Sequence, residues 1–345
     1  MRKTTAVLAA LALTTTATAC SQRAPEASGP GKGVVVACGA AEDWCQRMTA
    51  GFTAKTGIPA NHVRLSSGEA VARFGASKGS PEFDVWHGGP ADGYEAAREQ
   101  GLLQPYTSAA TGKIPARYRD PAGYWTGVYI GALGFCSNRD VLAKAGLEAP
   151  TSWDDLLAPG FAKQVAIAHP ATSGTAYTAL YTLVRVKGGE EAGLRYFQEF
   201  GRSVLQYSKS GSAPGQMAGR GEVATGVLFS HDCVKYQEEG STSLVVTFPE
   251  EGTGYEVGAV GILAGARNPD AAKAYVDYAA SAAAQEIGPS VKSYQRPTSP
   301  DATAAPQAFD PIAVKLVDYD VAAAGAARNG LVERFEAGVA ATPAN

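Results

Sequence analysis

The segment His169-Pro170-Ala171-Thr172-Ser173-Gly174-Thr175-Ala176-Tyr177 places hydroxyls and a glycine where a strand runs into a helix. The first N–H groups of a helix have no intrahelical partners, and the helix dipole adds partial positive charge there. Gly174 lets a ligand approach the backbone, and Ser173 and Thr175 supply hydroxyl donors. Such a helix start suits a phosphate or a carboxylate. Plain N-capping by Thr172 or Ser173 accounts for the same residues equally well. A second strand-to-helix loop sets Arg64 before Ser66-Ser67-Gly68. An arginine can give a phosphate two parallel hydrogen bonds, although Arg64 taken alone reads as a surface residue. Lys209-Ser210-Gly211, with Tyr207 just before it, is a third possible donor loop.

His231-Asp232 follows an apolar strand. Adjacent strand residues face opposite sides, so both reach one cleft only if the chain turns there. Asp232 capping the next helix, and His231 as a structural histidine, are the plainer alternatives. Gly75-Ala76-Ser77-Lys78-Gly79 matches the G-x-S-x-G spacing of serine hydrolases. It lies near a helix end with no strand before it, so the nucleophile elbow is missing and the match reads as chance. No HExxH, P-loop or dinucleotide fingerprint occurs, and no CxxC pair or His cluster suggests a metal.

The elements that must carry these loops alternate. The apolar run Val34–Ala37 reads as a buried strand. A helix follows with Trp44, Met48 and Phe52 on one face and a stop at Gly57. Strands at 63–65 and 83–86, the latter ending at Gly88-Gly89, precede further helices. The stretch 124–137 is long and rich in β-branched, aromatic and Gly residues, and reads as a crossing strand. A second α/β series follows, with strands at 165–168, 223–229 and 244–248 and helices at 173–187, 190–200 and 214–219. A second crossing at 255–263 leads to a helix over 269–287, with Asn268 as its N-cap. A C-terminal helix spans about 314–339. The pattern predicts an α/β protein of two lobes, with parallel strands and two crossing strands as hinge. The expected boundaries are 33–134 with 261–306 for the first lobe, 135–260 for the second, and 307–345 for a C-terminal helical segment. Ligands bind such sheets at the strand carboxyl ends, facing the cleft.

The 345 residues suffice for two cores, and a net charge of −3 without a basic stripe gives no nucleic-acid signal. Near the start, Arg2 and Lys3 precede the apolar run Ala6–Leu13, too short to span a bilayer, which then gives way to small residues. Residues 1–19 read as an export signal ending Ala17-Thr18-Ala19, with Cys20 in the place of a lipidated N-terminus. Cleavage after Ala19 without lipidation fits the same residues. Residues 20–32 read as a flexible tether. Cys38, Cys45, Cys136 and Cys233 remain, and an even number in an exported protein suggests disulfides. Four cysteines allow three pairings. Cys38–Cys45 is the easiest bridge because the two lie close along the chain, and Cys136–Cys233 then follows.

Together these segments resemble the ferric-iron, phosphonate and sugar-phosphate branch of periplasmic-type solute-binding proteins. The resemblance rests on residues 64–69 (RLSSGE), 83–89 (FDVWHGG), 127–138 (GVYIGALGFCSN), 151–157 (TSWDDLL), 170–177 (PATSGTAY) and 251–258 (EGTGYEVG). It implies the type II periplasmic-binding-protein fold and capture without catalysis or cofactor. It also implies an ABC permease as partner; the protein is expected to be an exported monomer, held at the membrane only by a lipid on Cys20 or else periplasmic. Ferric binders carry adjacent tyrosines where this chain has His231-Asp232, which speaks against direct iron coordination. Hexose-phosphate binders are more similar. The resemblance then implies phosphate at Ser173, Gly174, Thr175 and Ser67. Arg64, Gly89 and Tyr207 complete the expected contacts. Sugar hydroxyls fall to His231, Asp232 and Glu256, with Glu251 the other candidate for the Glu. An aminoalkylphosphonate is the next ligand and ferric iron the alternative.

Overall fold

The computed structural model describes residues 33–340. The expected export signal, the lipidation at Cys20 and the tether lie outside these residues. Along the chain run β1 (Val34–Cys38), α1 (Glu42–Thr56), β2 (Ala60–Arg64), α2 (Ser67–Ala76), β3 (Val85–Pro90), α3 (Ala91–Glu99), β4 (Leu103–Gln104) and α4 (Ala109–Gly112). The long strand β5 (Thr126–Asn138) leads to α5 (Arg139–Ala145), β6 (Val165–Ala168), α6 (Gly174–Val186), α7 (Glu190–Phe200), β7 (Val204–Ser208), α8 (Ala213–Gly219), β8 (Thr225–Phe229), α9 (Ser230–Glu238) and β9 (Leu244–Thr247). The chain returns through β10 (Tyr255–Leu263), α10 (Pro269–Ala279), α11 (Ala282–Gln285), β11 (Arg296–Pro297) and α12 (Val321–Phe335).

Strand order is β2-β1-β3-β10-β5-β8-β6-β7, with β1 parallel to β2 and β3, and β6 parallel to β7 and β8. The crossing occurs inside β5. Its residues Thr126–Ala132 pair with β10, and Leu133–Asn138 pair with β8 and β9. All thirteen residues of β5 are buried, as a strand shared by two cores must be. β10 enters at Tyr255, opposite Ala132, where β5 changes partners. Chain reversal by way of two such strands makes the two-lobed α/β architecture.

Local sequence explains most elements. Trp44, Met48 and Phe52 of α1 are buried against Tyr275 and Val276 of α10, and Gly57 ends the helix at φ 74°. Trp86 stacks on Tyr94, which ties β3 to α3 in the first lobe. In the second, Phe135, Trp153, Phe197 and Phe200 form the centre of the core. Both disulfides are present, Cys38–Cys45 across the β1–α1 turn and Cys136–Cys233 between β5 and α9.

Three expectations change. The helix expected over 269–287 breaks in two, because the Ser281 hydroxyl accepts from Ala284 N–H and starts α11 afresh. Asn268 caps nothing with its side chain, which donates instead to the Gly33 carbonyl. The helix expected from residue 314 begins only at Val321, capped by Asp320. Val314–Tyr319 stays extended because Thr253 bonds it on both sides: Thr253 N–H donates to the Lys315 carbonyl, and Val317 N–H donates back. The helix then lies across both lobes. Arg328 pairs with the buried Asp92 of α3 at 2.8 Å and sits over the ring of Tyr177 of α6 at 4.3 Å.

Candidate functional site

The site grows from the turns that end the strands. β2 ends at Arg64, and α2 opens on Ser67, which is buried. β3 carries Gly88-Gly89 just before its last residue, Pro90, both at positive φ (87° and 85°), a conformation that glycine adopts without strain. A side chain at Gly89 would stand 2.7 Å from the Ser67 hydroxyl, and one at Gly174 would stand equally close to it. These two glycines therefore keep open the space that Ser67 faces. In the second lobe α6 begins at Gly174, with Ser173 as N-cap, its hydroxyl accepting from Ala176 N–H at 3.3 Å. Ser173 is thus both the cap and a wall of the cavity. Thr172 does not cap; its hydroxyl donates to the carbonyls of His169 and Lys209. Thr175 and Gly211 lie against each other: a Cβ on Gly211 would meet the Thr175 hydroxyl at 2.1 Å.

β8 ends at Phe229, and α9 starts at once with Ser230. The turn from strand to helix brings His231 and Asp232 to the same cavity, which two neighbours on a continued strand could not do. Glu256 arrives from β10. His231 Nε2 lies 3.7 Å from Glu256 Oε1 and 3.9 Å from Asp232 Oδ1. Both separations are too long for hydrogen bonds. His231 Nδ1 is buried with no hydrogen-bond partner. Burial lowers the histidine's pKa and disfavours the charged ring, with Asp232 opposing. Burial raises the Glu256 carboxyl well above its ordinary range, and repulsion from Asp232 adds to it. Asp232 is raised by burial too, although His231, Lys235 and Arg64 pull the other way.

One cavity between the lobes brings together Arg64, Ser67, Gly89, Ser173, Gly174, Thr175, His231, Asp232 and Glu256. Tyr207 is not among its walls; its ring packs on His169 and Phe335. Glu251, the other candidate, is taken up by Ser152 and the Trp153 N–H. Arg64 itself spans the cleft. Its Nε donates to the Ala40 carbonyl at 3.2 Å, and its Nη2 donates to the Ser210 hydroxyl of the other lobe at 3.1 Å. Gly68 N–H donates to the Thr172 carbonyl across the same gap. Sequence reading missed several walls, chiefly Gly39–Ala41, Tyr129 and Gln295. Gly39-Ala40-Ala41 carried the same signal as the other loops, a strand end before a helix start. The Tyr129 hydroxyl accepts from Gly89 N–H at 3.1 Å, a contact that no local pattern announces.

Elsewhere the Ser77 hydroxyl donates to the Arg73 carbonyl at 2.9 Å. The cavity beside it, about 270 Å³, has no histidine or carboxylate among its walls, so no triad forms there. Among the described residues no group of three or more His, Cys, Asp or Glu is placed to hold a metal ion.

A cleft walled by both lobes and lined with hydrogen-bonding groups is the geometry of a solute-binding protein. The chain belongs to the bacterial extracellular solute-binding proteins, whose family pattern matches residues 80–323. These are transport components, and the protein is not an enzyme. It is similar to an uncharacterized protein of Haemophilus influenzae, 41% identical over 310 residues that cover 88% of this chain and 89% of that one. Its fold is similar to AfuA from Actinobacillus pleuropneumoniae, a periplasmic binding protein solved with fructose-6-phosphate. That match has a TM-score of 0.87 and 37% identity, and covers 90% of this chain and 99% of that one. A Salmonella paratyphi A protein with a provisional name as a 2-aminoethylphosphonate-binding periplasmic protein is 25% identical over 180 residues, 52% of this chain and 51% of that one.

Proposed function

We propose that the protein captures a small phosphorylated organic solute, a hexose phosphate ahead of an aminoalkylphosphonate, and hands it to an ABC permease. The observation that carries this reading is the division of one cavity into two chemistries. Arg64, Ser67 and the α6 start at Ser173–Thr175 supply donors and positive potential suited to a phosphate. His231, Asp232 and Glu256 supply acceptors, with the unpartnered His231 Nδ1 among them. Burial of Glu256 disfavours its charged form, and this suits a hydroxyl partner better than an ammonium. Similarity to a protein solved with fructose-6-phosphate supports the same order.

Calorimetry against glucose 6-phosphate, 2-aminoethylphosphonate and ferric citrate ranks the candidates. Tight ferric binding without any organophosphate binding would overturn the reading. The proposed lipid anchor at Cys20 is tested by Cys20→Ala, which should release the protein into the medium. A wild-type protein already fully soluble, with its N-terminus elsewhere, excludes the anchor.

A further inference from the structure

We infer that Lys235 is a latch whose bond to Asp43 across the cleft mouth sets how long the ligand is retained. This inference rests on the reading of the cleft as a solute site. Lys235 stands one helical turn beyond His231 on α9, and Asp43 stands two residues beyond the cavity wall Ala41 on α1. The Lys235 ammonium bonds the Asp43 carboxylate directly and donates to the Val291 carbonyl at 3.1 Å. Both partners belong to the first lobe, whereas α9 belongs to the second. Glu239, the residue that caps the end of α9, is a second carboxylate beside the ammonium, at 3.5 Å, and Asp232 on α9 also feels its charge. A parallel bond runs the opposite way, from the Lys292 ammonium to the Glu238 carbonyl at 2.7 Å.

The Lys235 side chain is only 10% exposed, whereas Asp43 is 44% exposed. The lysine is therefore sheltered by the closed lobes. Asp43 is fixed by the start of α1, where its other oxygen accepts from Trp44 N–H at 2.9 Å. Opening the lobes must break this bond and return both charges to water. The bond forms only after the lobes meet, so it slows ligand escape without speeding encounter. Removing either member of a charge pair that forms only in the closed state should therefore act on dissociation.

The test is a double-mutant cycle of Lys235→Met, Asp43→Asn and both together, read by stopped-flow with glucose 6-phosphate. Small-angle scattering of each protein supplies a second, ligand-free readout. Each single variant should raise the dissociation rate about tenfold with an unchanged association rate, and the double variant should add little more. Lys235→Arg should restore slow dissociation. Rising salt should speed dissociation in the wild type and leave the variants unmoved. Additive effects, or a slower association with unchanged dissociation, would reduce Lys235 to ordinary packing and overturn the latch. Should glucose 6-phosphate fail to bind the wild type, the ligand reading falls and scattering decides the latch alone. A larger radius of gyration in Lys235→Met than in wild type supports it, and equal radii refute it.

Discussion

Asp232 and Glu256 are both acidic walls of one cavity, yet their surroundings differ. Asp232 is partly exposed, and Lys235 and Arg64 offset part of the rise that burial imposes on its carboxyl, so under the proposed reading it is the acceptor for the organic end of the ligand. Losing a hydrogen bond to a charged group costs roughly 1.5–3 kcal/mol, about ten- to hundredfold in affinity. Asp232→Ala should therefore weaken hexose phosphate by that factor and leave inorganic phosphate nearly unaffected. Ser67→Ala and Thr175→Ala should weaken both, and calorimetry distinguishes the patterns. Glu256 is buried with its pKa raised above the ordinary 4.5. A carboxyl raised in the folded state contributes stability fully below its unfolded pKa and loses it as pH rises through the folded value. Glu256→Gln should accordingly raise the melting temperature at neutral pH, with the gain vanishing as pH falls toward 4.5. A gain that persists undiminished in acid would mean that charge on Glu256 is not the cost.

At the scale of elements, the two disulfides hold the segments that carry the site. Cys38–Cys45 closes the β1–α1 turn whose residues Gly39–Ala41 wall the cavity. Cys136–Cys233 anchors the first turn of α9 to β5, with Cys233 next to Asp232. All four sulfurs are buried. The second bridge spans 97 residues, and closing so long a loop in the unfolded chain is worth about 4.7 kcal/mol. Cys136→Ala with Cys233→Ala should lose stability of that order in denaturant titration. Removing Cys38–Cys45, which spans 7 residues, should cost less, about 2 kcal/mol. Peptide mapping without reduction checks the pairing itself, and four free thiols would exclude both bridges.

For the whole molecule, the proposed capture requires the lobes to meet closely. Gly68 at the start of α2 faces the loop before α6, and a Cβ there would stand 1.9 Å from the Ala171 carbonyl oxygen. The obstacle lies across the cleft, so opening the lobes relieves it without disturbing either core. Gly68→Ala should fold with nearly wild-type stability yet lose about hundredfold in affinity, because the closed state is penalised by several kcal/mol. Scattering should show a wider molecule that ligand fails to close. A variant that binds normally would mean that the backbone yields at this point. The strap formed by α12, through Arg328 to Asp92 in one lobe and Tyr177 in the other, remains intact in that variant and keeps the two lobes joined.

The sequence by itself determined the alternation of strands and helices, the lobed class, and the loops that face the cleft. Those features follow from local chemistry: apolar runs, glycine stops and hydroxyls at helix starts are read within a few residues of each other. Arg64, Ser67 and Ser173–Thr175 stood out as loop residues for that reason, and the family resemblance favoured His231-Asp232 as contacts over their plainer readings and added Glu256. Only the tertiary structure decided which candidates share a cavity. Tyr207 stands just before a candidate donor loop, but its ring is turned into the packing around Phe335, more than a hundred residues away. Tyr129 and Gln295 reach the cavity from a crossing strand and a late loop, and Lys235 meets Asp43 across 192 residues of chain. Such pairings depend on how two lobes are set against each other. That geometry is fixed by the summed packing of β5, β10 and α12, and no single stretch of sequence encodes it.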